Sequence, residues 1–237
     1  MADQNLTDII DVTVRAVRER WDPLGYVEAE SAFATGHTPS VAPMAYLCRF
    51  YAGLDDAALG DAEGESERHL PAVYRQFLRA YNGAHVMGVS LMGATGGQNL
   101  RDAAAAIGQP VSIRYQNAFY LRPDFIPEGH FGIGTMNGNG NAQGHLYLTS
   151  TGEVELINRE HNLIAITWPS LADFLSTEIP RQFSRYDAQG NDTGQVARLP
   201  GNTQDWEALG KQAADQRKKE NSVSHKLMRK LGMGRKC

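Results

Sequence analysis

Hydrophobic residues near the N-terminus recur at helical spacing. Within residues 6–20 the apolar positions of this pattern are Leu6, Ile9, Ile10, Val14 and Val17. This period predicts a helix. Residues 25–40 show no such period and contain proline, so we expect irregular structure there. The mainly apolar stretch 44–51 that follows is compatible with either a helix or a strand.

The next two segments differ strongly in polarity. Asp55–Glu67 is acidic and rich in small residues, which predicts a solvated loop or linker. Residues 69–83 (HLPAVYRQFLRAYNG) carry one apolar stripe and predict a helix. Pro71 suits the first turn of this helix, where its missing backbone donor costs nothing. Asn82 and Gly83 are able to take the left-handed conformation that closes a helix.

The second half of the chain predicts several short strands and two helices. The strands are expected in VMGVSLMG, VSIRYQNAFYLRP, FGIGT and HLYLTS, with a short helix at 99–107 between the first two. Residues 144–157 predict a hairpin around a Thr151–Gly152 turn. Ser170 is placed to cap a helix that Pro180 bends or ends. This order of helix, strands, hairpin and helix is α+β and not an alternating βαβ pattern.

The charge of the chain is divided unevenly between its two parts. Of the 23 basic and 27 acidic residues, nine basic and two acidic ones lie in residues 211–237, a local net charge of +7. The remaining 14 basic and 25 acidic residues give the first 210 residues a net charge of −11, and every lysine lies in the last segment. An acidic body repels nucleic acid and attracts basic partners over long range.

Composition predicts a cytoplasmic protein. No apolar run approaches the roughly 18 residues that cross a bilayer, and the N-terminus has neither the basic nor the apolar region of a secretory signal. Cys48 lies in an apolar stretch and Cys237 is the last residue of a polar tail. Two such cysteines form no disulfide framework and fit a reducing compartment.

Four segments, in this order along the chain, carry the pattern of a known family. They are LPAVYRQFLRAYNG (70–83), the strand ending in Leu-Met-Gly (91–93), FGIGTMNGNGNAQGHLYLTSTGEV (131–154) and WPSLADFLSTEI (168–179). Together they resemble the SUKH superfamily, the Smi/Knr-type family of bacterial toxin-immunity proteins and fungal regulators. The resemblance covers residues 67–183, about half of the chain.

The resemblance implies a single SUKH-like α+β domain, a mostly antiparallel twisted sheet packed with helices. We expect this core at residues 67–183, an N-terminal helical extension at 1–66 that packs on it, and a polar linker with a basic tail at 184–237. The family implies a protein-binding role, in many members the neutralisation of a cognate, nucleic-acid-directed toxin. The alternative is an intracellular regulator or scaffold with no toxin partner. No catalytic residue and no cofactor is implied, and we expect no enzymatic activity.

Other kinds of chemistry have weaker support in the sequence. The glycine-rich segment 132–140 has no lysine, and a strand follows it where a nucleotide site needs a helix, so it is expected to be a loop. The seven histidines lack the spacing of metal ligands, and there is no G-x-S-x-G elbow. A hydrolase that uses histidine and acidic groups is the third alternative. The basic tail can be a solubilising segment, fold back on the acidic body, or contact a partner, nucleic acid or a membrane surface.

The partner-binding residues are predicted from charge and exposure. A cationic groove that handles nucleic acid is complementary to an acidic surface, and such an association is fast and sensitive to salt. The candidates are the acids of the 55–67 segment and the asparagines of the Gly/Asn loop, where the family often has acidic residues. They are Asp55, Asp56, Asp61, Glu63, Glu65, Glu67, Asn137, Asn139 and Asn141.

Overall fold

The computed structural model of the chain describes residues 2–95, 107–118, 126–137, 143–158 and 162–195. Its helices are α1 (Ala2–Trp21), α2 (Asp56–Ser66), α3 (Ala72–Ala80), α4 (Arg114–Asn117) and α5 (Leu171–Phe183). Its strands are β1 (Tyr26–Ala29), β2 (Ala32–His37), β3 (Tyr46–Ala52), β4 (Tyr81–Val86), β5 (Val89–Leu91), β6 (Phe131–Asn137), β7 (Gln143–Leu148), β8 (Val154–Asn158) and β9 (Ile164–Trp168). The predicted α+β class is confirmed.

All nine strands form one sheet in chain order, and each strand is antiparallel to the next. One face carries rows of buried apolar side chains, because cross-strand partners share a face. The row that includes Phe33, Phe50, Leu91 and Leu146 is an example. Helices α1, α3 and α5 bury their apolar stripes in the same core. The main hydrophobic layer therefore lies between these helices and one side of the sheet. Two small buried clusters, one with Ala34 and Tyr51 and one with Tyr147 and Ile157, lie on the other side.

The N-terminal quarter of the chain contributes more regular structure than its sequence pattern predicts. The first helix is confirmed as α1. The prediction of irregular structure at residues 25–40 is wrong, because β1 and β2 form there and extend the sheet. Small residues such as Ala32 and Ala34 lie on β2, and they obscure the alternation of apolar and polar residues by which a strand is predicted. The segment 44–51, left open between helix and strand, belongs to β3.

The acidic segment 55–67 is a helix and not a loop. Asp55 caps α2, since its Oδ1 accepts the backbone N–H of Ala58 at 2.8 Å. The buried side of α2 consists of Leu59, Ala62 and Ser66. With only Leu59 and Ala62 as buried apolar positions, this helix has almost no amphipathic pattern for a sequence to reveal.

Two predictions of local structure are corrected by the fold, and a third is narrowed. Asn82 and Gly83 do not close α3, which ends at Ala80, but belong to β4. The strand expected at 111–123 is not found over the described residues 111–118, where α4 occupies 114–117 and Ser112 forms an isolated parallel bridge with Gly93. Pro180, expected to bend or end its helix, does not end it, because α5 continues to Phe183. The predicted helix at 99–107 falls almost wholly outside the described residues, and the basic tail lies entirely outside them.

Candidate protein-binding surface

The six predicted acids of the 55–67 segment all belong to α2 or its two caps, but they are not equally exposed. Asp55, Asp56, Asp61 and Glu67 are exposed, whereas Glu63 and Glu65 are half-buried. Helical spacing separates the two groups, because the half-buried acids lie toward the buried side of α2. The structure thus divides the predicted set into an outer group and an inner group.

The inner acids hold α2 to the rest of the domain. Glu65 accepts hydrogen bonds from the backbone N–H of Thr95 at 2.8 Å and from its hydroxyl at 2.7 Å, and it also accepts one from the Ser112 hydroxyl. Glu63 accepts the backbone N–H of Leu70 at 3.0 Å and faces the Arg75 guanidinium at 3.3 Å. These two carboxylates have structural partners, so a contact with another protein is left to the outer acids.

Two of the outer acids also have local roles. Asp55 is the N-cap of α2. Asp56 pairs with Arg79 and faces Arg75 at 3.8 Å, and the hydrogen bond and charge of Arg79 lower the pKa of the Asp56 carboxyl. Asp61 projects from the middle of the outer face of α2, and Glu67 ends the helix in a left-handed conformation with φ of 58°.

The outer face of α2 carries two glycines. Gly60 and Gly64 lie one turn apart, and a Cβ built on either would have no heavy atom within 4 Å. Glycine costs an exposed helix roughly 1 kcal/mol relative to alanine, and the fold of the described residues does not require it at these positions. Asp61 lies beside this stripe, so a partner backbone can approach α2 closely next to a carboxylate.

The asparagines of the predicted set lie elsewhere. Asn137 is the last residue of β6 and is the register partner of Gln143. Because successive strands are antiparallel, the end of β6 lies at the end of the sheet where β3 begins, whereas α2 follows the opposite end of β3. Asn139 and Asn141 fall outside the described residues. The structure therefore does not bring Asn137 together with the α2 acids.

A row of polar side chains that the sequence did not reveal crosses the sheet on the face opposite α1, α3 and α5. Cross-strand pairing places Arg49, His85, Ser90, Thr135 and His145 next to one another in this order. The His85 Nδ1 atom lies 2.9 Å from the Ser90 hydroxyl. Burial, and to a lesser degree the charge of Arg49, lower the pKa of His85. Both effects favour the neutral form of this imidazole.

The other histidines on this face have their own polar neighbours. Gln116 of α4 contacts the His145 imidazole and donates to the Gly134 carbonyl at 2.8 Å. His130 and Glu155 approach to 3.0 Å. Within the described ranges, no three His, Cys, Asp or Glu side chains converge in a way that could hold a metal ion. The strand alternation could have predicted the face of each residue, but not which strands are neighbours.

None of the helices among the described residues combines the length and the apolar character that crossing a bilayer requires. Comparison with curated proteins gives no match, and comparison with solved structures gives none either. A family model does match: that of the SMI1 / KNR4 family (SUKH-1), over residues 53–177. The match begins just before α2, ends within α5, and covers more than half of the 237 residues. The chain therefore belongs to the SMI1 / KNR4 family (SUKH-1).

Proposed function

We propose that this chain is an immunity-type protein that neutralises a cognate, basic, nucleic-acid-directed toxin by direct binding. Membership of the SMI1 / KNR4 family supports a protein-binding role. The net charge of −11 over the first 210 residues supports a cationic partner, because opposite potentials steer association and suppress wrong partners. The proposed activity is occupation of the toxin's surface, without catalysis and without a cofactor.

The outer face of α2 is the proposed contact surface. The observation that carries this choice is the pair Gly60 and Gly64 beside the exposed carboxylate of Asp61. A partner can pack close to the helix backbone there while a lysine or arginine at its rim reaches Asp61 or Glu67. A charge pair at such a rim acts mainly on the rate of association and on its salt dependence.

The test uses the purified protein and the toxin domain encoded by the neighbouring gene. We expect the Kd to rise at least about tenfold between about 50 and 300 mM NaCl, because exposed charges are screened over a few ångströms at the higher salt. Asp61→Lys combined with Glu67→Lys is expected to weaken binding by a similar factor. The matched control is Glu153→Lys, an exposed acid in the turn between β7 and β8.

Two results would contradict the proposal in different ways. Tight binding that salt and the α2 substitutions leave unchanged would overturn the choice of surface and the electrostatic argument. Absence of any binding to the neighbouring gene's product, or absence of a toxin gene there, would favour the alternative of an intracellular regulator or scaffold of the Smi/Knr type.

A further inference from the structure

A cleft runs along the side of α1 that faces the edge of the sheet. It is lined by Asp11, Val14, Arg15, Arg18, Glu19, Asp22 and Pro23. The lining residues that belong to α1 recur every three or four positions, so they form a single stripe along one side of the helix. Nothing in the proposed toxin contact on α2 uses this cleft.

The cleft is open because the sheet extends beyond its helical layer. In β1, Glu28 pairs with Phe33, which faces the helices, and Tyr26 pairs with Thr35 two positions further along β2. The side chains of Tyr26 and Glu28 therefore lie on the face of the sheet that the helices cover elsewhere. Helix α1 packs against β2, where Arg18 lies 4.1 Å over the Phe33 ring. Tyr26 remains 56% exposed. The edge strand thus forms an uncovered floor beside α1.

The cleft combines a small apolar surface with a mainly acidic rim. Val14 and Pro23 are its apolar lining, and the 56% exposed ring of Tyr26 lies on the neighbouring edge strand. Asp11, Glu19 and Glu28 are exposed carboxylates, and Arg15 is an exposed guanidinium among them. Arg18 is held by Glu28 and lies 3.7 Å from Asp22, so its charge is largely matched within the cleft. Such a surface is complementary to a helix with one apolar face and basic flanks.

The chain itself carries a segment of that description. In RKKENSVSHKLMRKLGMGRKC the apolar residues Val223, Leu227, Met228 and Leu231 fall on one helical face between lysines and arginines. Residues 211–237 have a net charge of +7. The spacing of the apolar positions matches the length of the α1 stripe, about two to three turns.

The path of the chain permits this contact within one molecule. Tyr186 packs its ring on Trp21 at a centroid distance of 6.2 Å, and Arg20 donates to the Tyr186 carbonyl at 3.2 Å. The segment after α5 therefore lies against the C-terminal end of α1. Val223 follows Gln195 by 28 positions, a stretch that spans up to about 90 Å when extended.

We propose that residues 211–237 bind in cis to the α1 cleft, with apolar side chains on Val14, Pro23 and Tyr26 and basic side chains toward Asp11, Glu19 and Glu28. A tethered segment reaches an effective concentration of about a millimolar, so a weak contact suffices. The outer face of α2 is the poorer site, because it offers glycine and alanine where Leu227 needs an apolar surface. This inference stands independently of any toxin.

The native cysteines supply the test on the full chain. Cys48 is fully buried, and burial raises the pKa of its thiol, so a nitroxide reagent will label Cys237, as mass spectrometry of the labelled peptide checks. The nitroxide broadens the NMR signals of nearby amides. At about 50 mM NaCl we expect this broadening to reduce the amide intensities of α1 and β1 to roughly half or less of those of α2, and we expect the intensities to recover at about 0.5 M NaCl. Asp11→Lys with Glu19→Lys is expected to abolish the effect, whereas Asp61→Lys with Glu67→Lys leaves it.

A second pair of variants tests the apolar part of the contact without a change of charge. Tyr26→Ser is expected to weaken the effect, and Tyr115→Ser, at a side chain that is 61% exposed elsewhere, is the matched control. The proposal is overturned if the broadening is even over the surface, centres on α2, or survives the Asp11 and Glu19 substitutions. A mixing experiment separates contacts within one molecule from contacts between molecules. The proposal is also overturned if isotope-labelled protein without nitroxide shows the same broadening when mixed with protein that carries the nitroxide but no isotope label, since the contact is then between molecules.

Discussion

The side chain of Asn82 forms two hydrogen bonds with the backbone of Ala94, one in each direction. Its Nδ2 donates to the Ala94 carbonyl at 3.0 Å, and its Oδ1 accepts the Ala94 N–H at 2.7 Å. Both residues are buried. The carboxamide of Asn82 thus takes the place of a strand partner and holds the segment after β5 to the start of β4.

Replacement of Asn82 by alanine is expected to lower the free energy of unfolding by about 2–4 kcal/mol. The substitution leaves a buried N–H and a buried C=O of Ala94 without their partner, and each such group costs on the order of 1–3 kcal/mol. Urea denaturation measures the loss. Asn5→Ala, at an exposed position of α1, is the control and is expected to change stability by less than about 0.5 kcal/mol. An equal effect of the two substitutions would contradict this role of Asn82.

Substitution of the outer glycines of α2 is expected to separate stability from binding. Gly60→Ala and Gly64→Ala should each raise the free energy of unfolding by about 0.5–1 kcal/mol, because alanine favours the helix and its methyl group meets nothing. Thermal denaturation measures the gain. Gly93→Ala is the contrasting variant and is expected to destabilise, since its Cβ would lie 2.3 Å from the Asn82 carbonyl oxygen.

The same two α2 variants also test the proposed contact surface. If a partner packs against α2, the added methyl groups keep its backbone away, and the Kd should rise about tenfold or more while stability increases, a loss of binding near 1.4 kcal/mol. Titration calorimetry with the toxin domain measures this. Unchanged affinity in the more stable double variant would place the contact elsewhere on the molecule.

His85 is expected to make stability depend on pH in the mildly acidic range. Burial and the Arg49 charge lower its pKa in the folded state, so the unfolded chain binds the proton more readily. The contribution of neutral His85 to the free energy of unfolding is complete above the pKa of the unfolded chain, about 6.5, and it is lost as the pH falls toward the pKa of the folded state. His85→Gln should flatten the pH dependence of the urea midpoint below about pH 6.5. A slope identical to that of the wild type would show that other groups cause it.

Cys48 is expected to make stability fall in mildly alkaline solution. Burial raises the pKa of its thiol in the folded state, whereas an unfolded cysteine ionises near pH 8.5. Between about pH 8.5 and 10 the unfolded state therefore loses a proton that the folded state keeps. The free energy of unfolding then falls by up to about 1.4 kcal/mol per pH unit. Cys48→Ala should remove this slope, and Cys237→Ser should retain it. Chemical denaturation at several pH values distinguishes the two variants.

The strongly patterned elements of this fold were predictable from the chain alone. The apolar period of residues 6–20, the stripe of α3 and the cap at Ser170 each indicated a helix that the structure contains. The order of family motifs indicated the SMI1 / KNR4 fold. These features depend on local periodicity and on near neighbours in sequence, which a pattern of residue types records directly.

The weakly patterned elements were decided by tertiary contacts. Helix α2 has only Leu59 and Ala62 as apolar anchors, and it is held instead by Glu63 and Glu65, whose partners include residues 12 to 47 positions away. Strand β1 forms because β2 supplies its ladder, and β2 in turn pairs with β3. Which predicted acids remain exposed followed from those same contacts.

The amino-acid sequence by itself determined the α+β class, the family, and the division into an acidic body and a basic tail, because composition and periodicity are properties of the chain. Only the tertiary structure decided that α2 is a helix, that its inner acids are engaged, and that a cleft opens between α1 and β1. Those outcomes depend on which distant residues meet, and hydrogen bonds and burial between distant residues leave no period in the sequence.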